Sequence, residues 1–242
     1  MTSRWQFRPP WWAILGTVIG CAVTIRLGFW QWHRGLSREA LDAQYQSAEA
    51  AKPVPLRVDT PVPSGADATR VTVRGHYDGE RQLLLDNQVH DRIPGYQVLS
   101  PVRLEAGGMA LVNRGWVPQN PDRTIFPPLP TPAGVIEVSG LWRSLPQPAL
   151  RLAIDNCPSD KTPWPRIVGY PTAADLRCLY GADTAAGMLL LDPQAPDGFL
   201  REWTQADRRF PPQRHYGYAA QWFAFAATLL TIFLKLNLKR RP

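Results

Sequence analysis

The chain has 242 residues, room for one domain of ordinary size with additions, and carries 27 Lys and Arg against 20 Asp and Glu, for a net charge of +7 and a pI of about 9.7. A nucleic-acid partner would need that excess on a basic folded face. Instead, all 20 acidic residues lie between Glu39 and Asp207 and are matched by 20 Lys/Arg between His33 and Arg214, while the surplus is Arg4, Arg8, Arg26, Lys235, Lys239, Arg240 and Arg241. No nucleic acid is expected as a partner; basic ends beside apolar runs fit the cytoplasmic side of a membrane.

A short N-terminal segment, residues 1–10, precedes the first apolar run, WWAILGTVIGCAVTIRLGFWQW, at 11–32. That run has about the 20 residues needed to cross a bilayer core. Trp11 and Trp12 mark one rim, Trp30 and Trp32 the other, as interfacial aromatic belts do. The run is too long for the apolar core of a signal peptide, and no small-x-small cleavage site follows. The few residues before Trp11 leave no room for a mitochondrial transit peptide, which favours a bacterial origin. Residues 33–68 read as a helix (SREALDAQYQSAEAA) followed by a Pro-rich linker from Lys52.

Residues 69–214 read as a β-rich domain. TRVTVRGHY (69–77), RQLLLDNQV (81–89), GYQVLSPVRL (95–104), GMALVNRGWV (108–117), GVIEVSGLWR (134–143) and MLLLDPQ (188–194) are rich in β-branched, aromatic or aliphatic residues and bounded by Gly, Pro and Asp turns. EAGG between the third and fourth predicts a hairpin. Several short strands at this spacing predict a small antiparallel barrel or open sheet. Pro146–Pro171 is Pro-rich and poor in pattern, and is expected to be a long loop. Cys157 and Cys178 fall in this domain, Cys21 in the first span; spacing alone leaves a Cys157–Cys178 disulfide open.

REWTQADRRFPPQRHYGYA leads into a second apolar run, 215–236, followed by a basic tail, 237–242. The expected fold class is therefore a membrane protein with two transmembrane α-helices flanking a mostly antiparallel β (α+β) domain. The basic tail places both termini in the cytoplasm and the domain in the periplasm of a bacterial inner membrane.

Catalytic signatures are missing: no G-x-S-x-G, H-E-x-x-H, Walker-type loop or G-x-G-x-x-G occurs, so no enzyme is expected. Without C-x-x-C, and with three Met, a thiolate or thioether copper site is poorly supported. Asp86-Asn87 and Asn113-Arg114 read as polar, solvent-facing strand positions. His76 and His90 read as surface or hydrogen-bonded histidines. His33 and His215 differ, because each lies just outside an apolar run. His215 is open to two readings, an interfacial side chain that snorkels or a ligand. Arg26 and Arg214 carry the same choice between snorkelling and meeting a carboxylate at the interface.

Within the spans, Gly16, Gly20, Thr24 and Gly28 recur every four residues, as do Ala220, Ala224 and Thr228. Such small-residue ridges let helices approach closely in lipid. His215, Tyr218, Ala219, Trp222, Ala226 and Leu229 form a different stripe at 100° per residue, roughly opposite the second ridge. If the ridges pair, His215 points away from the first span.

LGFWQWHR (27–34), GHYDGERQLLLDNQVHDRIPGYQVLSPVRL (75–104), LVNRGWVP (111–118) and HYGYAAQWFAFA (215–226), in that order and bracketed by two spans, resemble the Surfeit-locus-one family (Shy-one-like) of cytochrome oxidase assembly factors. The resemblance implies a factor that binds haem a and presents it to the large catalytic subunit of haem–copper oxidase, with haem a synthase as a further candidate partner. Its proposed haem-ligating histidine falls on His215, the one metal ligand expected. Tyr218 and Trp222 would flank the macrocycle, and Arg26 or Arg214 would pair with propionates. The alternative is a cofactor-free scaffold holding that subunit during assembly, with Arg-Gly-Trp and the domain surface as its important parts.

Overall fold

The computed structural model describes residues 5–64, 67–147, 157, 163–203 and 211–240. In chain order its elements are β1 (Trp5–Phe7), α1 (Trp11–Ala50), β2 (Val54–Pro55), β3 (Thr69–Tyr77), β4 (Leu83–His90), β5 (Ile93–Leu104), β6 (Met109–Pro118), β7 (Ile136–Ser144), β8 (Arg166–Val168), α2 (Ala173–Tyr180), β9 (Thr184–Leu191), α3 (Pro212–Asn237) and β10 (Leu238–Arg240). They form two compact units: Met1–Asp42 with Asp207–Pro242, and Ala43–Ala206.

Helix α1, which begins in the first unit, runs unbroken for 40 residues to Ala50, about 60 Å at 1.5 Å per residue. The apolar run and the polar helix expected after it are thus one element; no proline interrupts them before Pro53. Both α1 and α3 are long and apolar enough to cross a membrane, and only 6% and 11% of their most apolar 18-residue windows are buried. The core helix of a water-soluble domain would be mostly buried. Here Val18, Ile19, Phe225 and Leu230 face outward. The two ends of the chain meet, with β1 pairing antiparallel with β10 from Phe7↔Leu238 to Trp5↔Arg240.

The glycine ridge of α1 does pack on α3. A Cβ on Gly20 would lie 2.6 Å from Leu229, one on Gly28 2.6 Å from the Phe223 ring, and one on Gly35 2.5 Å from the Tyr216 ring. Gly16, by contrast, has nothing within 4 Å. The expected partner ridge on α3 does not take part: Ala220, Ala224 and Thr228 are exposed. Ala219 and Ala226 are buried instead. Large side chains of α3 fill the gaps over the glycines of α1, so the interface is small-on-large rather than small-on-small.

The second unit is one sheet in the order β2-β3-β7-β9-β6-β5-β4-β8, with a further pairing of β3 to β5. That pairing closes a five-strand ring, β3-β7-β9-β6-β5, so the domain is barrel-like. Closure depends on the 12-residue length of β5. Its first half pairs with β4 from Ile93↔His90 to Leu99↔Leu83, and its second half reaches β3 at Val102↔Tyr77 and Leu104↔Gly75. A side chain at Gly75 would collide with the Arg103 carbonyl, so glycine is needed where the ring shuts. Most pairings are antiparallel, but β2–β3, β4–β8 and β6–β9 are parallel.

Both faces of the central strands are covered. Val71, Val73, Val112, Trp142, Leu189 and Leu191 belong to a cluster fed by all five ring strands, its interior. Leu111, Leu141, Met188 and Leu190, the alternate residues, pack on a second cluster with Leu176 and Tyr180 of α2. Period-two geometry with two apolar faces explains why MLLL reads as a continuous run.

Three local readings change. The Pro-rich stretch after Lys52 is not a free linker: β2 pairs with β3, Leu56 is buried, and the Trp142 indole donates to the Pro61 carbonyl at 3.2 Å. Of Pro146–Pro171, residues 148–156 and 158–162 lie outside the described residues, as do 204–210, while 163–171 contain β8. Helix α2 was not expected; Thr172 caps it, accepting from Asp175 N at 3.2 Å while its own N–H donates to the Asp175 carboxylate at 2.7 Å. Cys178 on α2 is joined to Cys157, with Cα atoms 6.2 Å apart.

Candidate functional site

α3 opens with Pro212 following Pro211, a placement that needs no N–H and presets φ. One turn on, at the rim of the apolar stretch, stands His215, half-buried. The α3 face that meets α1 runs through His215, Ala219, Ala226 and Leu229, so His215 turns toward α1 rather than away from it. Its Nδ1 lies 2.9 Å from Gln31 Oε1. An amide oxygen only accepts, so in this contact Nδ1 is the donor. Gln31 lies between the Gly28–Phe223 and Gly35–Tyr216 contacts on the same stripe of α1.

Tyr218 and Trp222 stand on the same side of α3 as His215, as their spacing predicts. Tyr218 is 45% exposed. Trp222 is half-buried, its ring edge-on to Phe225 at 5.8 Å. Arg214 is exposed beside His215 in the first turn. Arg26, also exposed, lies two residues from Gly28 and hence about 200° around α1 from the face that meets α3. The structure brings His215, Tyr218, Trp222 and Arg214 to one end of α3 and does not bring Arg26 to them. The residue missed in the sequence is Gln31, a polar side chain continuing the Gly20, Thr24, Gly28 stripe.

His33 is exposed on α1. His90 belongs to the sheet unit, its ring 5.2 Å from Trp116 and its nitrogens 3.3 Å from Asp91 and 3.8 Å from Glu202. Among the described residues no group of three His, Cys, Asp or Glu could cage a metal ion. Of the site residues expected from the sequence, His215 is the one with a side chain of metal-ligand type.

Asn113 and Arg114 are not solvent-facing; they are 0% and 2% exposed. Arg114 donates to the Pro130 carbonyl at 2.8 Å and to the Asp197 carbonyl at 3.0 Å, between the rings of Tyr77 and Phe199 at 5.0 and 5.1 Å. Burial pulls its guanidinium below the ordinary value, opposed by Tyr77 and the Asp197 charge. Gly115, at φ +117, has no side chain to meet the Leu200 carbonyl, which lets Trp116 N reach that oxygen at 2.7 Å. Asn-Arg-Gly-Trp thus fastens the 197–200 segment to β6 and is not a display surface.

A family model described as the SURF1 family matches residues 18–227, which takes in most of both helices and the whole sheet unit. The chain belongs to the SURF1 family. Surfeit locus protein 1 of Xenopus tropicalis is 24% identical over 237 residues, 90% of this chain and 73% of that protein. Surfeit locus protein 1 of Mus musculus is 23% identical over 236 residues, 91% of this chain and 74% of its own. The SURF1 family is one of cytochrome oxidase assembly factors, not a catalytic family.

Proposed function

We propose that this SURF1-family protein spans the bacterial inner membrane twice and helps assemble haem–copper oxidase. It binds haem a transiently through His215 and presents it to the large catalytic subunit. The supporting observation is the position of His215: a half-buried imidazole at the rim of an outward-facing apolar helix pair, with exposed Tyr218 one turn on. A flat apolar macrocycle with two acid groups fits such a rim, its ring against Tyr218 and Trp222 and a propionate toward Arg214. Arg26 is the poorer candidate for that pairing. Bound there, the haem supplies the redox iron centre the oxidase needs; the chain's own residues hold and release it.

Both termini are assigned to the cytoplasm and the sheet unit to the periplasm. The β1–β10 pairing, which holds the two ends side by side, and the basic tail support this topology. An outward-facing rim suits lateral transfer to the large subunit, with haem a synthase as the candidate donor. The test is an absorption spectrum of protein purified in detergent from cells that make haem a, beside His215→Ala. Haem bands present in the parent and lost in the variant are expected. Equal spectra, or none in either, would move the function to a cofactor-free scaffold.

A further inference from the structure

We infer that β1 and β10 form a basic ribbon at one end of the helix pair that gathers anionic phospholipid headgroups. This rests on the two-span reading above, and concerns which lipids surround one end of the spans. β10 follows α3 directly and turns back along β1, with Trp5, Gln6 and Phe7 opposite Arg240, Lys239 and Leu238. The Arg8 N–H extends the pairing to the Asn237 carbonyl at 3.4 Å. Antiparallel alternation then makes Gln6 and Lys239 the next hydrogen-bonded pair. The Phe7 ring meets Phe233 edge-on at 5.8 Å, which ties the ribbon to α3. The backbone thus holds Lys239 and Arg240 beside the start of α1, just beyond exposed Lys235.

A two-stranded ribbon leaves N–H and C=O groups unpaired along its outer edges, which hydrocarbon does not tolerate. Exposed Trp11 and Trp12 follow it at the start of α1, and indoles prefer the membrane interface. The ribbon therefore belongs among headgroups. Protein carboxylates do not neutralise it from within the helix unit, whose acidic residues are Glu39, Asp42 and Asp207. Glu39 lies about 42 Å along α1 from Trp11 at 1.5 Å per residue, and Asp42 lies farther. Asp207 precedes the opposite end of α3. Charges act over about 8 Å in physiological salt, so lipid phosphates are the anions at hand. Loose basic tails would also attract anionic lipid, through charge alone. The ribbon makes the attraction depend on backbone pairing, and that is what can be tested.

The experiment places the full chain in vesicles of phosphatidylcholine with a minority of phosphatidylglycerol. Spin-labelled versions of the two lipids report which is immobilised at the protein. Phosphatidylglycerol should be about fivefold enriched at the parent, the equivalent of about 1 kcal/mol for a basic residue at an anionic surface. Lys239→Gln with Arg240→Gln should abolish most of the enrichment, while Lys239→Arg with Arg240→Lys should match the parent. Gln6→Pro keeps every charge and removes the central donor of the ribbon, so it should lower the enrichment too. Phe7→Ala should lower it less. Parent-like enrichment in both Gln6→Pro and Phe7→Ala overturns the role of the ribbon and leaves charge alone. An α1–α3 cysteine crosslink should form in Gln6→Pro as in the parent; enrichment lost together with that crosslink would trace it to the helix pair and overturn the ribbon's role. Equal immobilisation of the two lipids at the parent overturns the inference and leaves the cations to an acidic protein partner. A parent that does not enter vesicles overturns the two-span reading, and this inference with it.

Discussion

The helix pair and the sheet unit solve the problem of a partly buried polar group in opposite ways. In the sheet unit Arg114 is enclosed by carbonyls and aromatic rings, and every contact ties one piece of the domain to another. In the helix pair His215 meets Gln31 at 2.9 Å and remains at the rim, half-buried. An enclosed guanidinium stabilises a fold, and a half-enclosed imidazole stays exposed at the edge of its helix. The difference separates a side chain that ties its domain together from one left at the edge of a helix pair.

The sharpest way to break that comparison is Arg114→Ala. Removing the side chain leaves the Pro130 and Asp197 carbonyls without donors and opens a hole between Tyr77 and Phe199, a loss of about 3–5 kcal/mol. Denaturant unfolding of the full chain in detergent, followed by tryptophan fluorescence, measures it. A loss under about 1 kcal/mol would mean that Arg114 does not hold the sheet unit together.

On the helix side, Gly28→Leu should weaken the α1–α3 contact by about 1–3 kcal/mol, since overpacking forces Phe223 aside. Ala224→Leu, on the exposed face of α3, should leave it unchanged. Cysteine crosslinking between the helices distinguishes the two; the reverse order would restore the small-residue ridge as the interface.

Alkaline pH sharpens the contrast within the sheet unit. Burial raises the Tyr180 phenol above its ordinary value of 10, with Arg81 opposing. Above pH 10 the unfolded chain releases that proton while the folded one keeps it, so stability falls with rising pH by about 1.4 kcal/mol per unit. Below pH 10 this group contributes no slope. Tyr180→Phe should remove that part of the decline in a pH series of unfolding curves. The smallest effect expected is Thr172→Ala, about 1 kcal/mol from the lost cap of α2, read as a lower unfolding midpoint with unchanged helix packing.

Strand positions were legible because alternation and turn residues act locally: TRVTVRGHY is β3 residue for residue, and the EAGG turn joins β5 to β6. Helix α2 was not legible, because its eight residues show little periodicity and its signal is the Thr172–Asp175 capping box. The burial of Arg114 was hidden for a different reason. Polar residues on a strand read as solvent-facing unless a distant segment, here 197–200, is known to cover them.

From the sequence alone followed the two apolar helices, the neutral β-rich domain between them, the family, and His215 as the residue to question. Each rests on composition, period or motif, which act within a few residues. Only the tertiary structure decided that β5 bridges β4 and β3 to close the ring, that β6 and β9 run parallel, and which face of α3 meets α1. The last of these turned on volume: Phe223 and Tyr216 fill the space over Gly28 and Gly35, a fit between residues nearly 200 positions apart that no local pattern encodes. It is that fit which brings Gln31 to His215.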